Sequence, residues 1–405
     1  MPKIVQIDQS LSITLKHNCL IITQSTKKWT NVYSFDLEGR LWTAMHDNIS
    51  YRQGLDGIII AKWIDEFNIR HRKWLPYNEG IKLISHSIEI LLECIARIKI
   101  SLASDEQQAL LLQEILLTLL KIKTYDGQAR QTDISCFHTV YQPVGILPPD
   151  QYMAVLLQAT EGCSFNSCTF CTFYKNQKFK IKTVQEFTDH VHAVKAFLKE
   201  GLSLRRTIFL GGANALVIPM ANLVPLLKIV HENFDIEQLG GIYAFLDGFA
   251  GEKKTVVDYK HLSKLGLKRV YIGLESGNDD LLKYLHKPGN SMSALTTVKN
   301  IKKAGIAVGV IVLLGAGGKQ FSNKHVSETI KVLNNMPLDL DDIVYFSELV
   351  DFEQMDYLKT AYDNSLEPLS AFEITKQQEL IEQNLVFNLN GTPHISRYDV
   401  REFVY

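Results

Sequence analysis

Short apolar runs set the pattern of the first fifty residues. Stretches at 11–16, 20–23, 32–36 and 41–45 are β-branched or aromatic and are broken by polar residues or Gly39, which predicts a small antiparallel sheet. The spacing turns helical over 56–67 and again over 80–99, where Ile81, Ile84, Ile88, Leu91, Leu92 and Ile95 fall on one side. Ser104-Asp-Glu-Gln reads as a capping-box start to a further helix that carries Leu110 to Ile122. Residues 1–124 thus make a first α+β region. Residues 125–150 are rich in polar residues, Gly and Pro and end in Pro148-Pro149, the mark of a linker.

Beyond the linker the pattern becomes a repeated alternation. Apolar runs that read as strands lie at 153–158, 206–210, 241–246, 270–274, 307–314 and 342–346. Helical segments stand between them at 184–200, 222–232, 256–265, 293–303 and 324–334. Strands alternating with helices of this length imply a parallel sheet, here over residues 151–350. The periodicity alone does not separate a partial barrel from a full barrel or an open sheet. Residues 351–405 form a C-terminal extension with a helix expected over 369–385.

Composition narrows the class. A chain of 405 residues with 46% hydrophobic composition has ample material for a sizeable core, and its formal charge of −1 gives no broad basic field that would ask for nucleic acid. No run of eighteen apolar residues is present, and the opening Met-Pro-Lys-Ile-Val-Gln lacks the charged and apolar regions of a signal peptide. A cytoplasmic protein without membrane partners is the expectation. Six cysteines, three of them in one loop, favour a reducing compartment over a disulfide framework.

That loop is Cys163-Ser-Phe-Asn-Ser-Cys168-Thr-Phe-Cys171, directly after the apolar run Tyr152 to Ala159. A cubane iron–sulfur cluster normally takes four thiolates, so a three-cysteine loop leaves one iron open to another ligand. A zinc site short of its fourth ligand, or thiols clustered by chance, are the alternatives. Cys19 and Cys94 sit in apolar patterns and read as buried packing thiols. Cys136 and His138 lie two apart without further ligands nearby, and His46, Asp47 and Arg52 near Trp42 read as a polar turn or a substrate-facing cluster.

The cysteine loop resembles the signature of the radical S-adenosylmethionine (SAM) superfamily, in which three cysteines hold a [4Fe-4S] cluster and the fourth iron takes the amino and carboxylate groups of SAM. The four residues from Ser164 to Ser167 between the first two cysteines resemble the coproporphyrinogen-oxidase-like branch, a Cys-x4-Cys-x2-Cys variant. The resemblance implies a partial (β/α)6 barrel, with chemistry at the C-terminal ends of the strands, where such barrels carry it. It assigns Cys163, Cys168 and Cys171 to the cluster and Phe170 to the adenine side. Gly211-Gly212-Ala213-Asn214 resembles the family's Gly-Gly-Glu motif with Ala213 in the Glu place, so Gly211, Gly212 and Asn214 are left to meet the SAM amino group. Gly273-Leu-Glu275-Ser276-Gly277 resembles a second SAM-contacting motif, with Glu275 on the ribose or amino end. Leu314 and Gly315 resemble the strand end whose backbone holds adenine.

The activity so implied is reductive cleavage of SAM to a 5′-deoxyadenosyl radical that takes hydrogen from a small-molecule or peptide substrate, with rearrangement, epimerisation, carbon–carbon bond formation or oxidation as the outcome. An electron donor such as flavodoxin or ferredoxin is the implied partner. No cysteine follows Cys171, which leaves no auxiliary cluster in the second half, and the front region has no Asp-x-His-x-x-Gly cobalamin signature. A sensor or assembly protein that binds the cluster and SAM without turnover is the other class. The dense run His394 to Tyr405, with Arg397, Tyr398, Asp399 and Arg401, is a candidate to cover the barrel mouth.

Overall fold

The computed structural model describes residues 2–101, 106–251, 253–352, 355–387 and 391–405. They fall into two compact units, the first of Met1–Pro143, His192–Arg206 and Val404–Tyr405, the second of Val144–Val191 and Thr207–Phe403. Among the described residues no helix is long and apolar enough to cross a membrane.

The first unit is built on eight consecutive antiparallel strands: Lys3–Gln6, Leu11–Leu15, Cys19–Ser25, Thr30–Asp36, Leu41–His46, Ile49–Gln53, Ile59–Ile64 and Arg70–Trp74 (β1–β8). Alternation decides which face is buried, so Leu11, Ile13 and Leu15 of β2 point inward together. Two long helices, Tyr77–Ser101 (α1) and Glu106–Thr124 (α2), bring Leu83, Ile90, Leu91, Ile98, Ile115 and Leu119 into the same core as Ile13, Leu20, Tyr33 and Phe35. Cys94 is buried in that core and Cys19 is buried within β3. Burial pushes the Cys94 thiol up to about 12, as suits a packing group.

Two expectations change here. The run at 56–67, expected to be helical, contains β7, because Ile58-Ile59-Ile60 is too short an apolar block to fix a period and its β-branched side chains suit a ladder. The expected linker at 125–150 holds a helix, Gly127–Val140 (α3), whose first turn is capped by the Asp126 side chain accepting from the Ala129 amide at 2.9 Å. Only Arg130 and Phe137 of that helix are buried, so a nearly all-polar surface helix looks like a loop in the sequence. The expected cap at Ser104 lies outside the described residues.

The second unit is an all-parallel sheet. After Ala154–Gln158 (β9) come two short strands, Thr160–Glu161 (β10) and Lys180–Ile181 (β11), which pair with each other. The sheet continues with Thr207–Gly211 (β12), Ile242–Phe245 (β13), Leu267–Glu275 (β14), Ala307–Leu314 (β15), Ile343–Glu348 (β16) and His394–Arg397 (β17), in the order β17-β16-β15-β14-β13-β12-β9. Right-handed parallel pairing needs a crossover after each strand, and the sequence supplies helices for it. These are Val184–Leu198 (α4), Met220–Asn233 (α5), the short Gly248–Gly251 (α6) with Val256–Lys264 (α7), the short Asp279–Tyr284 (α8) with Ser291–Lys303 (α9), and Gly318–Asn334 (α10). Asp356–Asp363 (α11) and Ala371–Gln383 (α12) follow β16. The six predicted strands are all present. A seventh, β17, corrects the expectation of a purely helical tail: His-Ile-Ser-Arg has no apolar period, and only its pairing with β16 from Ile343↔His394 to Phe346↔Arg397 makes it a strand.

The N-terminal ends of the strands are tied together by one carboxylate. Asp150 accepts from Arg269 Nη1 at 2.9 Å, from the Tyr345 hydroxyl at 2.8 Å and from the Tyr271 hydroxyl. Replacing it strands two largely buried phenols and leaves Arg269 with the Asp341 carbonyl in place of two acceptors, at about 1–3 kcal/mol for each buried group so stranded. Asp150→Ala is therefore expected to lower the thermal unfolding midpoint by several degrees, read by circular dichroism, while leaving iron incorporation unchanged, because the cysteine loop sits at the opposite strand ends.

Candidate active site

The cysteine loop begins where β9 ends and is closed at its base by the β10–β11 pair. Gly162 takes a left-handed φ of +66°, and a Cβ there would stand 2.9 Å from the carbonyl oxygens of Gln177 and Lys178, so the loop can fold back only on a glycine. Its middle is held on both sides of one residue. The Thr169 amide donates to the Leu285 carbonyl at 3.0 Å, and the Thr169 carbonyl accepts from the Tyr357 amide at 3.0 Å. Asn166 donates its backbone N–H to Cys163 Sγ at 3.4 Å and its side-chain amide to the Tyr174 carbonyl at 2.8 Å.

All three thiols line a cleft that opens to solvent at the C-terminal ends of the strands. Every strand region of the sheet contributes to it: Ala213 after β12, Asp247 after β13, Gly273 and Glu275 of β14, Ile311 and Leu313 of β15, Glu348 and Leu349 at β16, Tyr398 and Val400 after β17. Burial raises the Cys168 thiol to about 12 and the Cys171 thiol to about 11, with neighbouring Lys287 pulling both the other way.

The electrostatic centre of the cleft is Lys287. Its ammonium lies 3.1 Å from Glu275 Oε1 and 3.5 Å from Asp247 Oδ1, and all three side chains are largely removed from solvent. Burial opposes the charge, but the two carboxylates outweigh it and hold the ammonium protonated well above its ordinary range. Asp247 is itself fixed by Asn214, whose Nδ2 donates to Asp247 Oδ2 at 2.8 Å. Glu275 ends β14 at a register shift and carries a left-handed φ of +59°, a costly place for a residue with a side chain, roughly 1–3 kcal/mol. The space it needs comes from Gly273, where a Cβ would meet Glu275 Oε1 at 2.3 Å and Lys287 Nζ at 3.0 Å.

The structure sorts the expected residues. Cys163, Cys168, Cys171, Phe170 and Glu275 are on the cleft wall. Gly211, Gly212, Asn214, Ser276, Leu314 and Gly315 are behind it. Gly212, at φ +74°, is a glycine because a Cβ would strike Thr160, and Gly211 because one would strike Leu156. Asn214 acts on Asp247, Ser276 is fully buried, and the Gly315 amide donates to Gln377 Oε1 at 2.9 Å. On β15 the alternation turns Ile311 and Leu313 to the cleft, and Leu314 away from it. Lys287 and Asp247 were not read from the sequence; the signal for Asp247 was the same as for Glu275, a carboxylate at the mouth end of a strand. Cys136 is exposed on α3. In the first unit Asp47 and Asn48, at φ 48° and 63°, make the two-residue turn between β5 and β6, and His46 Nδ1 is hydrogen-bonded to the Tyr33 hydroxyl at 2.7 Å.

Three thiols on one wall with no fourth beside them suit a cubane cluster, each sulfur on a different iron and one iron left over. Among the described residues no three His, Cys, Asp or Glu side chains converge closely enough to share a single metal ion. The donor set and the partly apolar cleft with carboxylates and an ammonium beside the thiols fit a cluster with SAM.

Comparison with known proteins agrees with the geometry. Residues 157–333 match the Radical SAM superfamily. That stretch, which carries the strand-end cysteine loop and most of the parallel sheet, is similar to the radical SAM superfamily, whose members bind a [4Fe-4S] cluster and SAM. It is similar to the protein described as heme chaperone HemW of Buchnera aphidicola subsp. Schizaphis graminum, 26% identical over 141 residues, which are 34% of this chain and 36% of that protein. The chain therefore spans about a third of the length of that curated relative. Among solved structures, coproporphyrinogen III oxidase (HemN) from Escherichia coli has 15% identity and a TM-score of 0.39, covering 53% of this chain and 48% of HemN. HydG, a maturase of the [FeFe]-hydrogenase, has 15% identity and a TM-score of 0.40, covering 77% and 68%.

The Gly273 contact yields a test of the site. Gly273→Ala drives a methyl group into the Glu275–Lys287 pair, so the reconstituted variant is expected to keep its iron while binding SAM about tenfold more weakly by calorimetric titration, a loss of about 1.4 kcal/mol.

Proposed function

We propose that the chain is a radical SAM enzyme acting on a small-molecule or peptide substrate, with a flavodoxin- or ferredoxin-type protein as electron donor. The observation that carries this reading is the meeting of three unpaired thiols with the Glu275–Lys287–Asp247 group on one cleft wall. When bound, the cluster and SAM supply one-electron cleavage of the sulfonium to methionine and a 5′-deoxyadenosyl radical that takes a hydrogen atom from substrate.

The chain's own residues bind, orient and enclose. Cys163, Cys168 and Cys171 would hold the cluster. Glu275 and Asp247 accept hydrogen bonds from the ribose hydroxyls or ammonium of SAM, and Lys287, paired with both, keeps the two carboxylates in place. Phe170 sits on the wall beside Leu313 and packs with Leu281, Leu285 and Tyr357, an apolar surface for the adenine. Phe173, Leu349, Val350 and Phe352 line the rest of the cleft and keep water from the reacting centre. Behind the wall, Asn214 keeps Asp247 oriented.

A non-catalytic role in carrying a heme is the second reading, favoured by the likeness to HemW, which is described as a heme chaperone. The cleft is poorly suited to it: Asp247, Glu275 and Glu348 line the wall against one lysine that is already paired, whereas heme propionates need free cations. Anaerobic reconstitution with dithionite and SAM, followed by chromatography for 5′-deoxyadenosine, separates the two. Production supports the enzyme; none, with stoichiometric heme binding, would replace it with the carrier.

Four substitutions bear on the roles. Cys163→Ala, Cys168→Ala and Cys171→Ala are each expected to lose the iron–sulfur chromophore, and full iron content with activity in any one of them defeats the three-cysteine assignment. Glu275→Gln keeps shape and removes charge, so it is expected to retain iron and weaken SAM binding roughly ten- to a hundredfold, the weight of a charge-assisted hydrogen bond, as followed in the EPR signal of the reduced cluster.

A further inference from the structure

Glu275 occupies a backbone conformation that its own chemistry resists, so something nearby must hold it. The Ser276 amide donates to the Leu274 carbonyl at 2.7 Å, closing a three-residue turn with Glu275 at its centre. Such a turn with positive φ is rare and strained. The three residues that follow Glu275 are each fastened to α10. Ser276 Oγ, which accepts from the Asn278 amide at 3.0 Å, is hydrogen-bonded to Nδ1 of His325 at 2.8 Å. The Gly277 amide donates to Thr329 Oγ1 at 2.8 Å, and Asn278 Nδ2 donates to Glu328 Oε2 at 2.6 Å. Gly277 lies so close to α10 that a Cβ on it would be 2.3 Å from the Glu328 carbonyl oxygen.

Residues 325, 328 and 329 share one helix face by their spacing. Packing a helix on a sheet requires only apolar side chains there, yet α10 buries a histidine and a threonine completely. Burial pushes the His325 imidazole down to about 4, so it is neutral and serves as a hydrogen-bonding group, without a charge to place. Buried polar groups are costly unless partnered, and the partners that His325 Nδ1 and Thr329 Oγ1 find lie in the segment just after Glu275. Neither lines the cleft, so any effect they have on a ligand passes through Glu275.

We propose that the α10 face formed by His325, Glu328 and Thr329 is the positioning device that keeps Glu275 in its left-handed turn and its carboxylate on the cleft wall. The proposal rests on Glu275 contacting SAM. His325→Leu removes the bond to Ser276; His325→Asn can restore it, because the asparagine amide reaches about where Nδ1 stands. Thr329→Val removes the acceptor for Gly277 in nearly the same volume, and Thr329→Ser returns it.

The test is the SAM dissociation constant of anaerobically reconstituted protein by calorimetry, with iron content and melting temperature measured on each sample. His325→Leu and Thr329→Val are expected to bind SAM roughly three- to tenfold more weakly at full iron content, the weight of one hydrogen bond, with the Asn and Ser variants close to the parent. If the device acts through Glu275, His325→Leu combined with Glu275→Gln binds no more weakly than Glu275→Gln alone. Should His325→Leu fail to fold, Thr329→Val carries the same test. Unchanged SAM affinity in the Leu and Val variants where Glu275→Gln is weakened, or full additivity in the double variant, overturns the positioning role. Unchanged affinity in Glu275→Gln itself overturns the reading of Glu275 on which the role rests.

Discussion

A buried ammonium held between two carboxylates is the constraint around which the second unit is arranged. Taking three charges out of water is expensive, and it is sustained only when each charge has a fixed partner. Lys287 meets that demand by lying against both Glu275 and Asp247, and each neighbour is secured in turn. Asn214 fixes Asp247, Gly273 leaves room for the Glu275 carboxylate, and His286, just before the lysine, adopts a left-handed φ of 53°. Strand ends from β12, β13 and β14 are thereby bound to a common geometry at the place where the cysteine loop arrives. The Asp150 network does the corresponding work at the other ends of the strands.

Much of this was legible in the sequence, and what was hidden was hidden for physical reasons. The six-strand alternation and the cysteine spacing are local signals, and each survived into the structure. Glu275 was legible because a carboxylate closed a recognisable strand-end motif. Lys287 was not, since a lysine beside Pro288 and Gly289 looks like a solvated loop charge until the fold buries it. Ser276, Leu314 and Gly315 were assigned from motif position, and which side chains of a motif face the cleft is a parity that only the register fixes. The polar strand β17 and the polar helix α3 carry no hydrophobic period, so nothing in their composition separates them from loops.

The cleft wall divides into two characters. Near the thiols it is charged, with donor and acceptor groups suited to a zwitterionic, sulfonium-bearing molecule. Toward β15, β16 and the tail it is dominated by Ile311, Leu313, Leu349, Val350, Phe352 and Tyr398, with Glu348 the charged exception. Arg397 and Arg401 stand 3.8 Å from that carboxylate. On the proposed reading the charged end would take SAM and the apolar end the group to be recognised, a division that lets one scaffold serve many substrates.

The far wall of the cleft comes from the other end of the chain. The Tyr398 hydroxyl donates to the Leu147 carbonyl at 2.8 Å, across a sequence separation of 251 residues, and it stands in the cleft with Val400. During synthesis the three thiols emerge well before that wall does. For the interval in which β12 to β16 are being made, the loop is solvent-facing, open to iron delivery and equally open to oxidation. The wall that Tyr398 and Val400 supply is thus the last part of the cleft to be made, and thiols oxidised before it arrives would be unable to take iron.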